Sequence, residues 1–521
     1  MTERFFSFFD QNGLTKIILI ALAFRLVAVV GSPGYLMHDD HFLTVEPASS
    51  WAVGHNFNEW LPTAENKRLS PEPISFLYPG TLMLGFKGLH AIGIHDPVQQ
   101  MVVMRLLHAL YSLLTIVLVF RITAHWSSHR NAVVAGLLMA TLLIMPTYSV
   151  RSLVELVCMP PLLAGYWWII RAQAVVGNAK KELLHTRYFW AAAAIMGLAV
   201  GVRYQLGLAV AITGLVLLFQ NGWRSFMAFG ATSLMVFSLT QIDDILLWGG
   251  KPFQHLMGYF AYNKEHALHY PGSPFTYLSF IGFFILPPVS LFLFFGAFRS
   301  GRKYMLLALP ILAFLIFHII YPNRQERFIL PALPAVIILG VIGWSDFVQQ
   351  SKFWLRNQKL LRGCYLFFVV LNLIGGIGLS VMYTKRERVE AMSYLYRAGD
   401  CRNYVLEYTH KEGGAMLPQH FSGIWTKFYY WNNKTNVEEV VAKMPATEEL
   451  FANREMTKPV PNYYLFYDGA NLEQRIERIN TLVGPLEYCN TIEPGWLDQL
   501  LHKLNKRNTI ERIHIYKVQK P

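Results

Sequence analysis

Charge is scarce in this chain. Charged residues make up 15% of its 521 positions and hydrophobic residues 53%, where soluble domains carry about 25% charged residues. The length alone would allow two or three soluble domains; that composition excludes them. Cysteine is scarce too, and four thiols are too few for a disulfide framework. Cys158 and Cys364 lie in apolar runs and read as packing residues. Cys401 and Cys489 fall near the C-terminus and can pair if that segment meets an oxidising compartment. Internal repeats and low-complexity linkers are absent. A cleavable leader is not expected, because the first apolar run, Leu14 to Val30, is long enough to stay as an anchor. No basic stripe interleaved with aromatics occurs, so the net charge of +13 does not mark a nucleic-acid binder.

What the chain does have is apolar runs close to the spanning length of about 20 residues. They fall at about 14–30, 101–120, 131–147, 152–170, 189–202, 205–220, 226–247, 276–298, 304–320, 328–347 and 364–384. Basic residues gather between them: Lys180, Lys181 and Arg187; Arg299, Arg302 and Lys303; Lys352, Arg356, Lys359 and Arg362. That is the pattern of cytoplasmic loops. A further run, Phe76–Ile94, contains Pro79, Gly80, Lys87 and His90. If it spanned, the basic loop 171–188 would lie outside and the charge rule would fail, so it is placed in the outer interface. The expected fold is an all-α polytopic membrane body over residues 1–384, with about eleven transmembrane helices plus interfacial helices. A small extracytoplasmic α/β domain follows over residues 385–521. There Asn403–Tyr408, Tyr463–Tyr467 and Ile513–Val518 read as strands, and Asn471–Thr481 and Gly495–Lys506 as helices.

Ionisable groups at membrane depth are costly, which makes them functional candidates. His38-Asp39-Asp40-His41 with Glu46 follows the first span. Its bland reading is a solvated loop start with helix-capping acids. A metal is not expected, since two acids and two histidines in four residues do not easily converge on one ion. Glu326 and Arg327 lie between two spans, and Arg151 and Glu155 stand at helical i,i+4 spacing. Their bland reading is structural pairing. Arg203 tips a short hairpin, where a snorkelling anchor is the plain account. Asp243 and Asp244 close the seventh run, and Lys251, His255, Lys264, His266 and His269 follow as loop charges.

Together these groups suit one chemistry. A sugar on a polyprenyl phosphate already carries a good leaving group. It needs cations to hold the departing phosphate, and guanidinium forks match that geometry. The acceptor hydroxyl needs a base, which a carboxylate supplies. Attack from the face opposite the phosphate inverts the anomeric carbon.

The same residues carry a resemblance. Asp39-Asp40-His-Phe-Leu-Thr-Val-Glu46-Pro47 resembles the Asp-Glu pair and later Glu in the first luminal loop of the family 22 glycosyltransferases of the GT-C class, the Alg9-like and GPI mannosyltransferases. Asp40 stands where the family usually has Glu. Ser75-Phe-Leu-Tyr78-Pro79 is similar to its aromatic-Pro segment, and Arg105-Leu-Leu-His-Ala-Leu to an arginine-led helix start. Arg151-Ser-Leu-Val-Glu155 and Asn323-Arg-Gln-Glu326-Arg327-Phe328 resemble two further family elements, the second with Asn in place of a leading His.

The resemblance implies an inverting transfer of a hexose, foremost mannose, from a dolichyl or undecaprenyl phosphate donor to a glycan or glycolipid acceptor. It implies no metal or other cofactor. The expected partners are the lipid-linked donor, the acceptor and membrane lipids, with no nucleic acid. Asp39 is the expected general base, with Asp40 second and Glu46 orienting the acceptor or the loop. Arg203 and Arg327 are the candidates for the donor phosphate, followed by Arg151 and Lys251. His38, Glu326, Glu155 and Tyr78 are placed as acceptor or support residues. The rival class is a transporter or flippase of a lipid-linked or anionic solute, although no repeated halves are seen. A related enzyme moving another sugar, such as an aminopentose, is a third reading. The sequon at Asn433 does not establish an endoplasmic reticulum home, and a bacterial plasma membrane is favoured.

Overall fold

The computed structural model describes residues 2–56, 74–177, 180–246, 251–268, 272–412, 416–451, 458–504, 506 and 510–519. His269 lies outside them. Each of the eleven apolar runs contains helix among the described residues, though not all are continuous. Among the described residues five helices are long and apolar enough to cross a membrane, or six if one bent pair counts as a single span. They are Gly13–Gly31, Pro97–Trp126, Trp223–Leu246, Glu326–Gln350 and Gln358–Ser380; three more, Arg187–Val202, Leu206–Asn221 and Met305–Ile320, are apolar but shorter. The bent pair, Thr276–Ile285 with Val289–Gly301, turns by 115°. Pro287 and Pro288 sit at that corner; they lack the N–H a continuous helix needs.

The chain divides into two compact units. The first comprises Met1–Val30, Trp60–Tyr78 and Arg105–Val381. Its helices approach closely where small residues face each other. Gly296, Gly340 and Gly343 let Val289–Gly301 and Leu333–Gln350 touch backbone to backbone, where any Cβ would clash. Gly197 does the same against Ser233, whose hydroxyl donates to the Ala193 carbonyl at 2.8 Å.

One run expected to be a continuous helix is broken. Helix His129–Thr141 stops, and Leu142 turns to extended backbone. Short helices Met145–Tyr148 and Val154–Val157 follow, with non-helical residues between them. Backbone freed by such a break needs partners. Asn372 supplies two: its amide donates to the Thr141 carbonyl at 2.7 Å and its carbonyl accepts from Leu143 N–H at 2.8 Å. Arg25, fully buried, donates to the Ala140 carbonyl at 3.1 Å, to Ser112 Oγ at 2.7 Å and to Ser149 Oγ at 3.2 Å.

The second unit comprises Gly31–Glu59, Pro79–Met104 and Met382–Pro521. Its sheet contains β1 (Tyr404–Tyr408), β2 (Tyr429–Asn432), β3 (Tyr463–Tyr467), β4 (Leu486–Ile492) and β5 (Ile513–Val518), in the order β2-β1-β3-β5-β4. β1 pairs in parallel with β2 and β3; β5 runs antiparallel between β3 and β4. Every residue of β1 and β3 is buried, as central strands covered on both faces require. Val405, Trp431, Tyr464 and Phe466 form part of the core under helices Val437–Phe451 and Leu472–Val483. Cys401 and Cys489 are free thiols; they turn to the carbonyls of Asn403 and Glu487 rather than to each other.

Candidate active site

In the first unit the helix break brings Glu155 to two arginines. Glu155 sits in the short helix Val154–Val157. Arg203 caps helix Arg187–Val202 in extended backbone, which turns its side chain off the helix axis. Arg327 lies in the 3-10 turn Glu326–Ala332. Arg203 Nη1 meets Glu155 Oε1 at 2.6 Å, and Arg327 Nε approaches the same oxygen at 3.9 Å. Arg327 is held in place by Gln325 Oε1, through Nε at 3.0 Å and Nη2 at 2.6 Å. Both guanidiniums also lie over the Phe328 ring, at 5.5 Å and 5.3 Å from its centroid. Glu155, Arg203 and Arg327 are all buried.

Among the described residues two guanidiniums meet one carboxylate away from water. Arg203 Nε, Glu155 Oε2 and Asn323 Oδ1 are buried without a hydrogen-bond partner among the described residues. A buried guanidinium cluster with a spare Arg203 donor suits an anion.

Several sequence expectations change here. Arg203 is not a snorkelling anchor, since it is buried and paired. Arg151 is buried but stands outside the helix that carries Glu155, so the two do not share a helical face. Glu326 is half-buried and makes no ion pair among the described residues, although Arg327 does. Lys251 is exposed in its loop and makes no ion pair among the described residues. Tyr78 is buried and shares a 2.6 Å hydrogen bond with His108 Nε2.

The first-loop acids lie in the second unit, on and after the short helix His38–Phe42. The two adjacent aspartates have different surroundings. Asp40 is buried and accepts from the backbone N–H groups of Leu36 at 3.1 Å and Met37 at 3.0 Å. Asp39 is partly exposed. His38 is exposed and stacks on Phe42. His41 is buried between the rings of Tyr35 and Phe421, and its Nε2 meets Glu46 Oε1 at 2.7 Å.

Glu46 in turn accepts the His420 backbone N–H with both oxygens, at 3.0 and 3.1 Å. His420 was not visible as a functional residue in the sequence, since 374 positions separate it from Glu46. The contact ties the loop bearing Asp39 to the turn Gln419–Ser422. Burial pushes the Glu46 carboxyl well above the carboxylate range. Burial, and then His41, pushes the His420 imidazole down to about 3.

The sign of the pH dependence follows. Unfolded histidine titrates near about 6.5. The stability that neutral His420 contributes is intact above that value and is lost as pH falls towards its folded value. Glu46 acts the other way, with its contribution full at low pH and lost as pH rises through its raised folded value. We expect His420→Gln to flatten the fall in thermal midpoint between about pH 6.5 and pH 4.5. An unchanged slope would show that another group governs the acid limb.

The sequence profile of the Alg9-like mannosyltransferase family matches residues 16–411. No curated protein matches the chain in sequence. Among solved structures, ArnT from Cupriavidus metallidurans bound to undecaprenyl phosphate is similar, with TM-score 0.59 and 12% identity over 97% of this chain and 98% of that one. An oligosaccharyltransferase from Archaeoglobus fulgidus is also similar. In its complex with an inhibitory peptide and a dolichol-phosphate, the TM-score is 0.53 at 12% identity, over 88% of this chain and 70% of that one. At such identities the likeness concerns the fold alone.

Proposed function

Since this chain belongs to the Alg9-like mannosyltransferase family, we propose that it moves a hexose, foremost mannose, from a polyprenyl phosphate to a glycan or glycolipid acceptor, inverting the anomeric carbon. The observation that carries this reading is the buried cluster in which Arg203 and Arg327 both approach the carboxylate of Glu155. Its guanidinium groups and spare Arg203 donor suit a phosphate. The similar folds that hold undecaprenyl phosphate and dolichol-phosphate support a lipid-phosphate donor.

In the proposed reaction Asp39 takes the acceptor hydroxyl proton. The acceptor oxygen forms a bond to the anomeric carbon from the face opposite the phosphate. The carbon–oxygen bond to the phosphate breaks, and polyprenyl monophosphate leaves with the electron pair. Arg327 and Arg203 hold that developing charge. Asp39 is preferred to Asp40 as base because both Asp40 oxygens accept backbone N–H groups. Glu46 acts as a loop anchor rather than as an acceptor ligand. We place about eleven spans in residues 1–384, an extracytoplasmic domain in residues 385–521, and the reaction on the extracytoplasmic side of a bacterial plasma membrane.

The test uses membranes carrying the protein and a polyprenyl phosphate with a labelled mannose. Label entering a saccharide or glycolipid product, with no solute uptake by sealed vesicles, supports transfer. Uptake without transfer would replace the enzyme with a transporter.

A further inference from the structure

We infer that Asp243, Asp244 and His255 form a divalent-cation site that pins the helix Gln254–Glu265. The three residues come from two segments of the first unit. Asp243 and Asp244 open the short helix Asp243–Leu246, and His255 is the second residue of Gln254–Glu265. One ligand atom from each lies within 4.8 Å of the other two. His255 Nδ1 faces both carboxylates, touching Asp244 and standing 3.4 Å from Asp243 Oδ2. Oxygen and nitrogen ligands bound to one zinc ion at about 2.0–2.2 Å stand roughly 3.4 Å apart when arranged tetrahedrally. The Asp243–His255 spacing therefore suits a common ion, while Asp244 and His255 share a direct hydrogen bond that an ion would replace.

The charge balance points the same way. Asp244 and His255 are buried, and Asp243 is largely covered. Among the described residues neither aspartate has a lysine or arginine partner, and His255 is their one ionisable partner. Even a protonated imidazole neutralises only one of the two carboxylates. A net negative charge away from water needs a compensating cation.

The site is also braced. Asp244 accepts the N–H groups of Gln254 at 2.7 Å and His255 at 3.1 Å. Such bonds fix a ligand's orientation, as the outer shell of a metal site does. Two carboxylates and one imidazole, with a water completing four positions, suit Zn2+; the imidazole and the ligand count disfavour Ca2+.

The ion would organise structure rather than touch reacting atoms. Tyr259 lies on the pinned helix and packs edge-on against Tyr204, with ring centroids 5.5 Å apart. Tyr204 follows Arg203 directly in the chain. Fixing Gln254–Glu265 therefore steadies one side of the arginine cluster. The site stands or falls by ion binding, independently of the transfer reaction.

The experiment is metal binding by the purified full chain in detergent, stripped with a chelator and titrated with ZnCl2 or MnCl2. The expected result is one ion per chain and a thermal midpoint that rises with the metal. Asp243→Asn and His255→Ala should each weaken binding by tenfold or more. Because Asp243→Asn keeps the side-chain shape, it carries the test if His255→Ala does not fold. Uptake of either ion with loss in the folded variant supports the site. Failure of the wild-type chain to take up either ion, or undiminished binding in the folded variant, overturns it.

Discussion

Asp39→Asn stops sugar transfer and leaves the protein folded. The amide keeps the size and shape of the carboxylate but cannot accept the acceptor's proton, and a positioned general base contributes about 10²–10⁴-fold to rate. The expected loss is of that order in kcat, with expression and thermal midpoint unchanged, because Asp39 is partly exposed. Asp40→Asn is the contrasting variant. Asp40 receives the Leu36 and Met37 N–H groups on its two oxygens. Replacing one oxygen by an amide nitrogen sets a donor against a donor and loosens the turn. That variant should lose stability first and activity as a consequence. Kinetics and melting curves on both proteins separate the roles. Full activity in Asp39→Asn would remove it as the base.

The two arginines should separate in a similar way. Arg327→Ala lowers kcat/KM for the lipid-phosphate donor by about 10²–10³-fold, the typical effect of removing one preorganised donor to a developing anion. The protein still folds, because Glu155 keeps its 2.6 Å partner Arg203. Arg203→Ala is different. It leaves the buried Glu155 with only the 3.9 Å approach of Arg327 among its ion pairs. Breaking a buried pair from one side costs about 3–5 kcal/mol, so this variant should show a lowered thermal midpoint as well as poor donor use. Donor kinetics and melting curves read both effects. Unchanged donor kinetics in Arg327→Ala would take it out of the phosphate site.

Much of the helical body could be read from the sequence, because an apolar run near spanning length has few other uses. The breaks could not be read so easily. Hydropathy sees residues 131–147 as one run, while the backbone at Leu142 turns away and survives because Asn372 and Arg25 satisfy the freed carbonyls. Those partners are over 100 positions away, beyond any local pattern. The same break invalidates the i,i+4 reading of Arg151 and Glu155, which assumed a helix through both. Pro287-Pro288 did offer a local signal for the 115° corner, and hydropathy averaged over it.

In the C-terminal segment, Asn403–Tyr408, Tyr463–Tyr467 and Ile513–Val518 were legible as strands, and Asn471–Thr481 and Gly495–Lys506 as helices. β2 and β4 were not. β2 has only four residues, and β4 is bulged between Tyr488 and Asn490, which blurs its alternation. At the candidate site, the residue types Asp39, Asp40, Arg203 and Arg327 stood out because charge is rare here. Their partners did not. That Glu155 bridges two arginines, and that Glu46 receives His420, are tertiary facts with no spacing to announce them.

The most direct measurement follows the leaving group. Purified protein is given a polyprenyl phosphate sugar of known anomeric configuration and an acceptor extract, and both products are analysed. Equal amounts of polyprenyl monophosphate and of a glycoside with the opposite anomeric configuration are the predicted result. A retained configuration, or sugar moved with its phosphate still attached, would contradict the account.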